Sequence, residues 1–249
     1  MGRDLGPWSA TPGPRTFTLV SPGRERVVDG AALDTLMHLL REEGYATWGP
    51  VVRGGAIGPG PVSGIEDLPV GWHDDQEAGT YRIRHVGDRE VFGWAVGPQS
   101  WKARFFPPSE AVWSAPGRPP TERPAGADGA PGPDRSGAPL ALIGARPCEV
   151  AALGVLDRVL LGGEVADPDY GRRRRDAFVI EAECGSPAAT CFCTSMGTGP
   201  AAGAGHDIAL TELPPAPDGQ PRFLLRAGSG RGAELIGRLN QQGAASIAL

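Results

Sequence analysis

Lysine is all but missing from this chain: Lys102 stands alone among 24 basic residues, so arginine supplies nearly all the positive charge. Basic surplus is missing too. Against 29 acidic residues the net charge is -5, which leaves nothing to neutralise a phosphate backbone and excludes a nucleic-acid binder. No apolar run approaches the roughly 20 residues that a membrane helix needs, so membrane insertion is not expected. The opening residues MGRDLGPWSATPGPR lack the apolar centre of a secretion signal. Cysteine is scarce, four in 249 residues. Three of them crowd together, unlike the spaced framework of a small secreted domain. These absences point to the cytoplasm.

What the chain does have is glycine and proline, together about a quarter of its residues, near the range where low-complexity segments are expected. Residues 114–138 concentrate them and cannot bury enough apolar surface to offset ordering. They are expected to form a flexible linker or insertion between an N-terminal α+β region (1–113) and a cysteine-bearing α/β region (139–249). Residues 1–15 read as a loose leader and 16–20 as a strand. Apolar spacing at Leu33, Leu36, Met37, Leu39 and Leu40 predicts a helix over 29–45. A strand over 48–54 follows, then a hairpin of 79–86 with 91–96 across the turn residues GDRE. Residues 97–110 read as a loop ending in a short helix.

Past the linker, strands are expected at 139–145, 177–182, 207–213 and 222–227, and helices at 149–163 and 232–243. Alternation of this kind implies an α/β fold: a mixed, partly parallel sheet with flanking helices, beside the smaller N-terminal α+β region.

Cys148, Cys184, Cys191 and Cys193 have the spacing C-x35-C-x6-C-x-C. Thiolates are soft ligands that select iron–sulfur clusters, zinc or copper(I). Cys148 follows one expected strand and opens a helix, where the dipole should favour its thiolate. Cys184 follows another strand. If the two strands are parallel neighbours, both thiols emerge at the carboxyl edge of the sheet, where α/β folds place ligands. The spacing is not that of a bacterial ferredoxin run, and C-x-C fits zinc knuckles poorly. A cluster, a zinc site, and inert or exchangeable thiols all stay open on spacing alone.

Arg146 either offsets the negative charge of a cofactor or serves as a structural donor. RRRR (172–175) reads as a solvated helix end in preference to a dock for an acidic partner or phosphate. Asp167 and Tyr170 read as a packed turn. Lys102 is taken as a surface residue, and the four dispersed histidines as structural or exposed. GSGRG (228–232) is too incomplete to be a phosphate loop.

The motifs GARPCEVAALGVLDRVLL, DPDYGRRR, AFVIEAECGSPAATCFCTSMGTGP and HDIALTEL, preceded by WGPVV, GTYRI and FGWAVGPQSWKARFFPPSE, carry a resemblance. In that order they resemble the iron–sulfur β subunit of cytoplasmic sulfhydrogenases, the corresponding iron–sulfur subunit of anaerobic sulfite reductases, and related 4Fe-4S dicluster proteins. The resemblance implies an electron-transfer subunit that works between two partners, one a flavoprotein subunit, the other of hydrogenase or sulfite-reductase type. It also implies a [4Fe-4S] cluster on Cys148, Cys184, Cys191 and Cys193. Family members continue into a ferredoxin-like segment with two four-cysteine runs, and this sequence contains neither. A zinc-bound or metal-free scaffold that docks redox partners is the rival expectation.

Overall fold

The computed structural model describes residues 25–108 and 137–242. The strand expected at 16–20 and most of the 114–138 segment lie outside them.

The chain enters through β1 (Glu25–Asp29) and turns into α1 (Gly30–Glu42), where the Asp29 side chain accepts from the Ala32 N–H and caps the helix. There follow β2 (Ala46–Arg53), β3 (Ala56–Pro61), β4 (Trp72–Glu77), β5 (Thr80–His85) and the short α2 (Lys102–Phe105). The second stretch holds β6 (Leu140–Ala145), α3 (Pro147–Leu160), α4 (Pro168–Asp176), β7 (Phe178–Ala182), α5 (Cys193–Met196), β8 (Ile208–Leu213), β9 (Arg222–Ala227) and α6 (Gly230–Gln241).

Seven strands make one mixed sheet in the order β1-β9-β8-β7-β6-β2-β3, and β4 with β5 makes a second, small one. The centre, β2-β6-β7-β8, is parallel, with antiparallel strands at both margins. Strands from both sides of residues 114–138 therefore share one sheet.

The parallel strands are buried on both faces, and alternation assigns their side chains. Phe178, Ile180 and Ala182 of β7 pack with Leu36, Met37 and Leu40 of α1 and Leu235, Ile236 and Leu239 of α6. Val179 faces the other way, with Leu142 of β6, toward Val150 and Leu153 of α3 and Tyr170 of α4.

Three sequence expectations change. Residues 91–96 form no strand and no hairpin; β5 pairs with β4 instead. Their apolar run is buried irregular backbone that bonds to side chains: Glu212 accepts the Val91 and Phe92 N–H groups at 2.7 and 2.8 Å, and Asp74 accepts that of Ala95 at 2.6 Å. Asp167 does not merely close a turn. It caps α4 by accepting from the Asp169 and Tyr170 N–H groups, and the arginine run is that helix's last turn. Strands β3 and β4 lie in residues 55–78, where a Gly/Pro-rich connector was expected.

Candidate metal centre

β6 and β7 run side by side in parallel, and the thiols begin where these strands end. Past β6 the chain passes Arg146 and enters α3, with Pro147 in the first turn, where its missing N–H costs nothing. Cys148 is the next residue. Past β7 come Glu183 and Cys184, whose N–H donates to the Pro200 carbonyl at 3.1 Å. Cys191 lies on the loop and Cys193 opens α5. A Cβ at Gly199 would sit 3.2 Å from the Cys193 Sγ and 3.5 Å from the Pro147 Cβ. The loop thus folds back against the start of α3, and glycine permits that approach.

All four cysteines are free; Cys191 is exposed and the others are half-buried. Their charges are felt mutually: ionisation of Cys148 is opposed by Cys193 and Cys184, and ionisation of Cys184 by Cys191 and Cys193. They gather at one sheet edge without forming a tight shell. Among the described residues the group of three or more potential ligand atoms within 4.8 Å of one another is His73, Asp88 and Glu90, and no cysteine belongs to it. Zinc–thiolate bonds of about 2.3 Å would bring four sulfurs within about 4 Å of each other, so no zinc cage is preformed.

Burial pushes the Cys148 thiol up to about 11, with Glu149, Cys193 and Cys184 adding to it. This overturns the expected help from the helix dipole: desolvation and like charge outweigh it. Burial also raises Cys184, against the pull of Arg146. Such thiols stay protonated at neutral pH until a metal displaces the proton. One sulfur already accepts an amide, Cys191 Sγ from the Ala188 N–H at 3.3 Å.

Arg146 is 1% exposed, as deeply buried as Glu181. Its guanidinium donates to four backbone carbonyls: Ala182 at 3.4 Å, Glu183 at 2.9 Å, Phe92 at 2.7 Å and Trp94 at 2.5 Å. The Trp94 ring lies 4.3 Å from it, a cation–π distance. Among the described residues no carboxylate ion-pairs with it, and its Nε has no partner. Burial lowers its pKa, and the charge that most favours its cation is that of Cys184. One side chain thereby ties the 91–96 segment to the backbone just before Cys184, two residues from Cys148.

Carboxylates support this edge. Glu149 accepts the Arg146 N–H at 3.0 Å, capping the start of α3 from its third residue, and burial pushes it up to about 7. Glu183 is opposed by burial yet ends below its ordinary value, because Thr211, the Ala202 N–H and Arg226 all donate to it. Glu212, raised by burial, holds the 91–92 amides. Sequence reasoning missed Glu212, whose only signal is its place in an alternating strand.

The remaining expectations sort simply. Lys102 is exposed at the start of α2. Arg172 and Arg174 pair with Asp169 and Asp157. His73 bonds to Asp88 at 2.8 Å, which accounts for the cluster it forms with Glu90. His206 faces the buried Glu181 at 2.8 Å.

The chain is similar to "Sulfhydrogenase 2 subunit beta" of Pyrococcus furiosus, 41% identical over 95 residues. That match takes in 38% of this chain and 26% of the relative, so it spans about a quarter of the relative's length. The identity supports a family relationship over those residues. No protein-family model matches the chain, and no solved structure matches it. No helix among the described residues is long and apolar enough to cross a membrane.

Proposed function

We propose that this chain is a cytoplasmic iron–sulfur electron-transfer subunit of a hydrogenase- or sulfite-reductase-like complex, working between a flavoprotein and a catalytic partner. Cys148, Cys184, Cys191 and Cys193 would hold a [4Fe-4S] cluster. The observation that carries this reading is the gathering of all four thiols, from two strand ends and one loop, beside a buried guanidinium that ion-pairs with no carboxylate among the described residues.

The donor set suits such a group in kind, and the four sulfurs form no closed arrangement before it binds. Four thiolates complete a cuboidal cluster without outside ligands. Their sulfurs are spread too widely for one ion, whereas a cluster offers each a different iron. A thiolate-ligated cluster is anionic, and Arg146 is a cation at the same edge, hydrogen-bonded to carbonyls and acted on at longer range by Glu149 and Glu212. When bound, the cluster accepts and returns one electron. The chain's own part is to hold the sulfurs, exclude water on the side of Trp94 and Phe92, and donate the Ala188 amide to Cys191. Similarity to a sulfhydrogenase β subunit supports the partner class, and substrate chemistry would belong to other subunits.

The test is anaerobic purification with iron and sulfide assays, and EPR after dithionite reduction. About four irons per chain with a spin-half signal are expected, and Cys193→Ala should lose them. Zinc, or no metal in the wild-type chain, would replace this reading with the scaffold that docks redox partners. A fully loaded Cys193→Ala protein would strike Cys193 from the ligand set.

A further inference from the structure

Cys184, Cys191 and Cys193 share one loop, and the neck of that loop is fastened by a carboxylate. Cys184 opens the outgoing limb, and the returning limb carries Gly199, Pro200 and Ala202. None of residues 185–205 is buried, so apolar packing does not set their place. On its outer side the neck faces a cavity of about 690 Å³, whose walls include Glu183, Cys184, Ser186, Pro200 and Thr211. Polar bonds therefore decide where the two limbs lie.

Glu183 supplies several of them. Its backbone N–H donates to the Leu210 carbonyl at 2.9 Å, which extends the pairing of β7 with β8 by one residue. Its Oε2 accepts from the Thr211 hydroxyl of β8 at 2.6 Å, and its Oε1 from the Arg226 guanidinium of β9 at 2.6 Å. Arg226 also donates to the Thr211 hydroxyl oxygen at 3.1 Å, closing a triangle that holds the carboxylate against the sheet. The same Oε1 accepts the Ala202 N–H at 3.0 Å. One side chain is thus fixed on two strands and grips the returning limb. That limb meets the cysteines at two points. The Pro200 carbonyl accepts the Cys184 N–H at 3.1 Å, and Gly199 runs so close to Cys193 that a Cβ would stand 3.2 Å from its Sγ.

We propose that Glu183 is a positioning residue for the cluster: by gripping Ala202 it holds the returning limb where Cys184 and Cys193 can both reach iron beside Cys148. This rests on the iron–sulfur reading above. An ion pair with Arg226 alone would fasten one strand margin and leave the loop untouched; the bond to Ala202 is what carries the order of the sheet into the loop. Ligands held near their final places cost less to order when the group binds, and such supporting hydrogen bonds orient the ligands themselves.

The experiment uses the full chain, reconstituted with iron and sulfide, and the variants Glu183→Ala and Glu183→Gln. Iron release to bipyridyl should be about tenfold faster in Glu183→Ala, the effect of losing one hydrogen bond to a charged group, and the EPR signal of the clusters that remain should broaden. Glutamine keeps a carbonyl oxygen for the Ala202 N–H and an amide for Thr211. Glu183→Gln should therefore release iron within about threefold of the wild-type rate and keep its line shape. Wild-type release and line shape in Glu183→Ala overturn the proposal. A Glu183→Gln chain as impaired as Glu183→Ala overturns it too, since the charge and not the grip would then matter. Amide hydrogen exchange on the metal-free chains reads the grip without iron. The Cys184 amide, which Glu183 does not touch, should exchange about tenfold faster in Glu183→Ala, with the β7 amides unchanged. Equal exchange at Cys184 overturns the grip, whereas a wild-type chain that takes up no iron but shows this difference overturns the iron–sulfur reading alone.

Discussion

Arg146 does two physically separable things. As a donor it satisfies four carbonyls that would otherwise be buried without partners, at about 1–3 kcal/mol each. As a charge it interacts most with Cys184, then with Glu149 and Glu212, and least with Cys148. Substitution can divide these roles. Arg146→Gln keeps hydrogen-bond donors and removes the cation, while Arg146→Lys keeps the cation in a different shape. A positive charge beside a centre that gains an electron favours its reduced form. Redox titration should therefore find the Gln variant at a lower midpoint potential than wild type, with Lys recovering most of the difference. Equal potentials in all three proteins would leave Arg146 a structural donor alone. Its place next to Cys148 was visible in the sequence. Its carbonyl partners were not, because Phe92 and Trp94 lie 54 and 52 positions away and act through backbone oxygens, which leave no trace in residue type.

Among the elements, the end of β6 decides whether that geometry exists. The pairing of β6 with β7 slips between Ile143 and Ala145. Ile143 packs on the α1 side and Ala145 on the α3 side, so the bulge reverses the face two residues before the thiol helix begins. Gly144 makes this possible with φ of 79°, in the left-handed region. A Cβ there would stand 2.5 Å from the Phe92 ring. Gly144→Ala should cost about 1–3 kcal/mol through backbone strain and overpacking, read as a lower denaturant midpoint with an unchanged slope. An unaltered midpoint would mean that the bulge relaxes freely.

Periodicity made α1, α3 and α6 legible, since each buries one face, and continuous apolar runs made the central parallel strands legible, since those are buried on both. It failed where burial is not periodic. Residues 91–96 are apolar but take their hydrogen bonds from Glu212, Asp74 and Arg146 instead of a neighbouring strand. β4, WHDDQE, is polar and has no buried position, and α4 buries only Tyr170.

Across the whole molecule, order is unevenly supplied. The seven-stranded sheet is fastened from both ends of the described chain, since β1 pairs with β9 next to α6. It has two buried clusters beneath its helices. The cysteine loop has neither: none of residues 185–205 is buried, and its fixed points are a few backbone bonds such as Cys184 N–H to Pro200 and Thr198 N–H to Cys193. Local stability follows buried contacts, so this loop belongs at the low end of the protein's opening energies. A metal held by the loop's thiols would anchor it, and binding energy would then become folding energy. Stripping iron with a chelator should therefore leave the far-ultraviolet circular dichroism almost unchanged. Proteolytic cleavage within 185–205 should accelerate by roughly tenfold or more, a fraction of the binding free energy of structural metals. Cleavage within β6 and β7 should stay slow, because those amides are held by the sheet. If chelation instead melts the sheet, the metal and the core form one cooperative unit. If it changes neither the loop nor the sheet, the loop is held by its own backbone bonds and the four cysteines do not bear on its order.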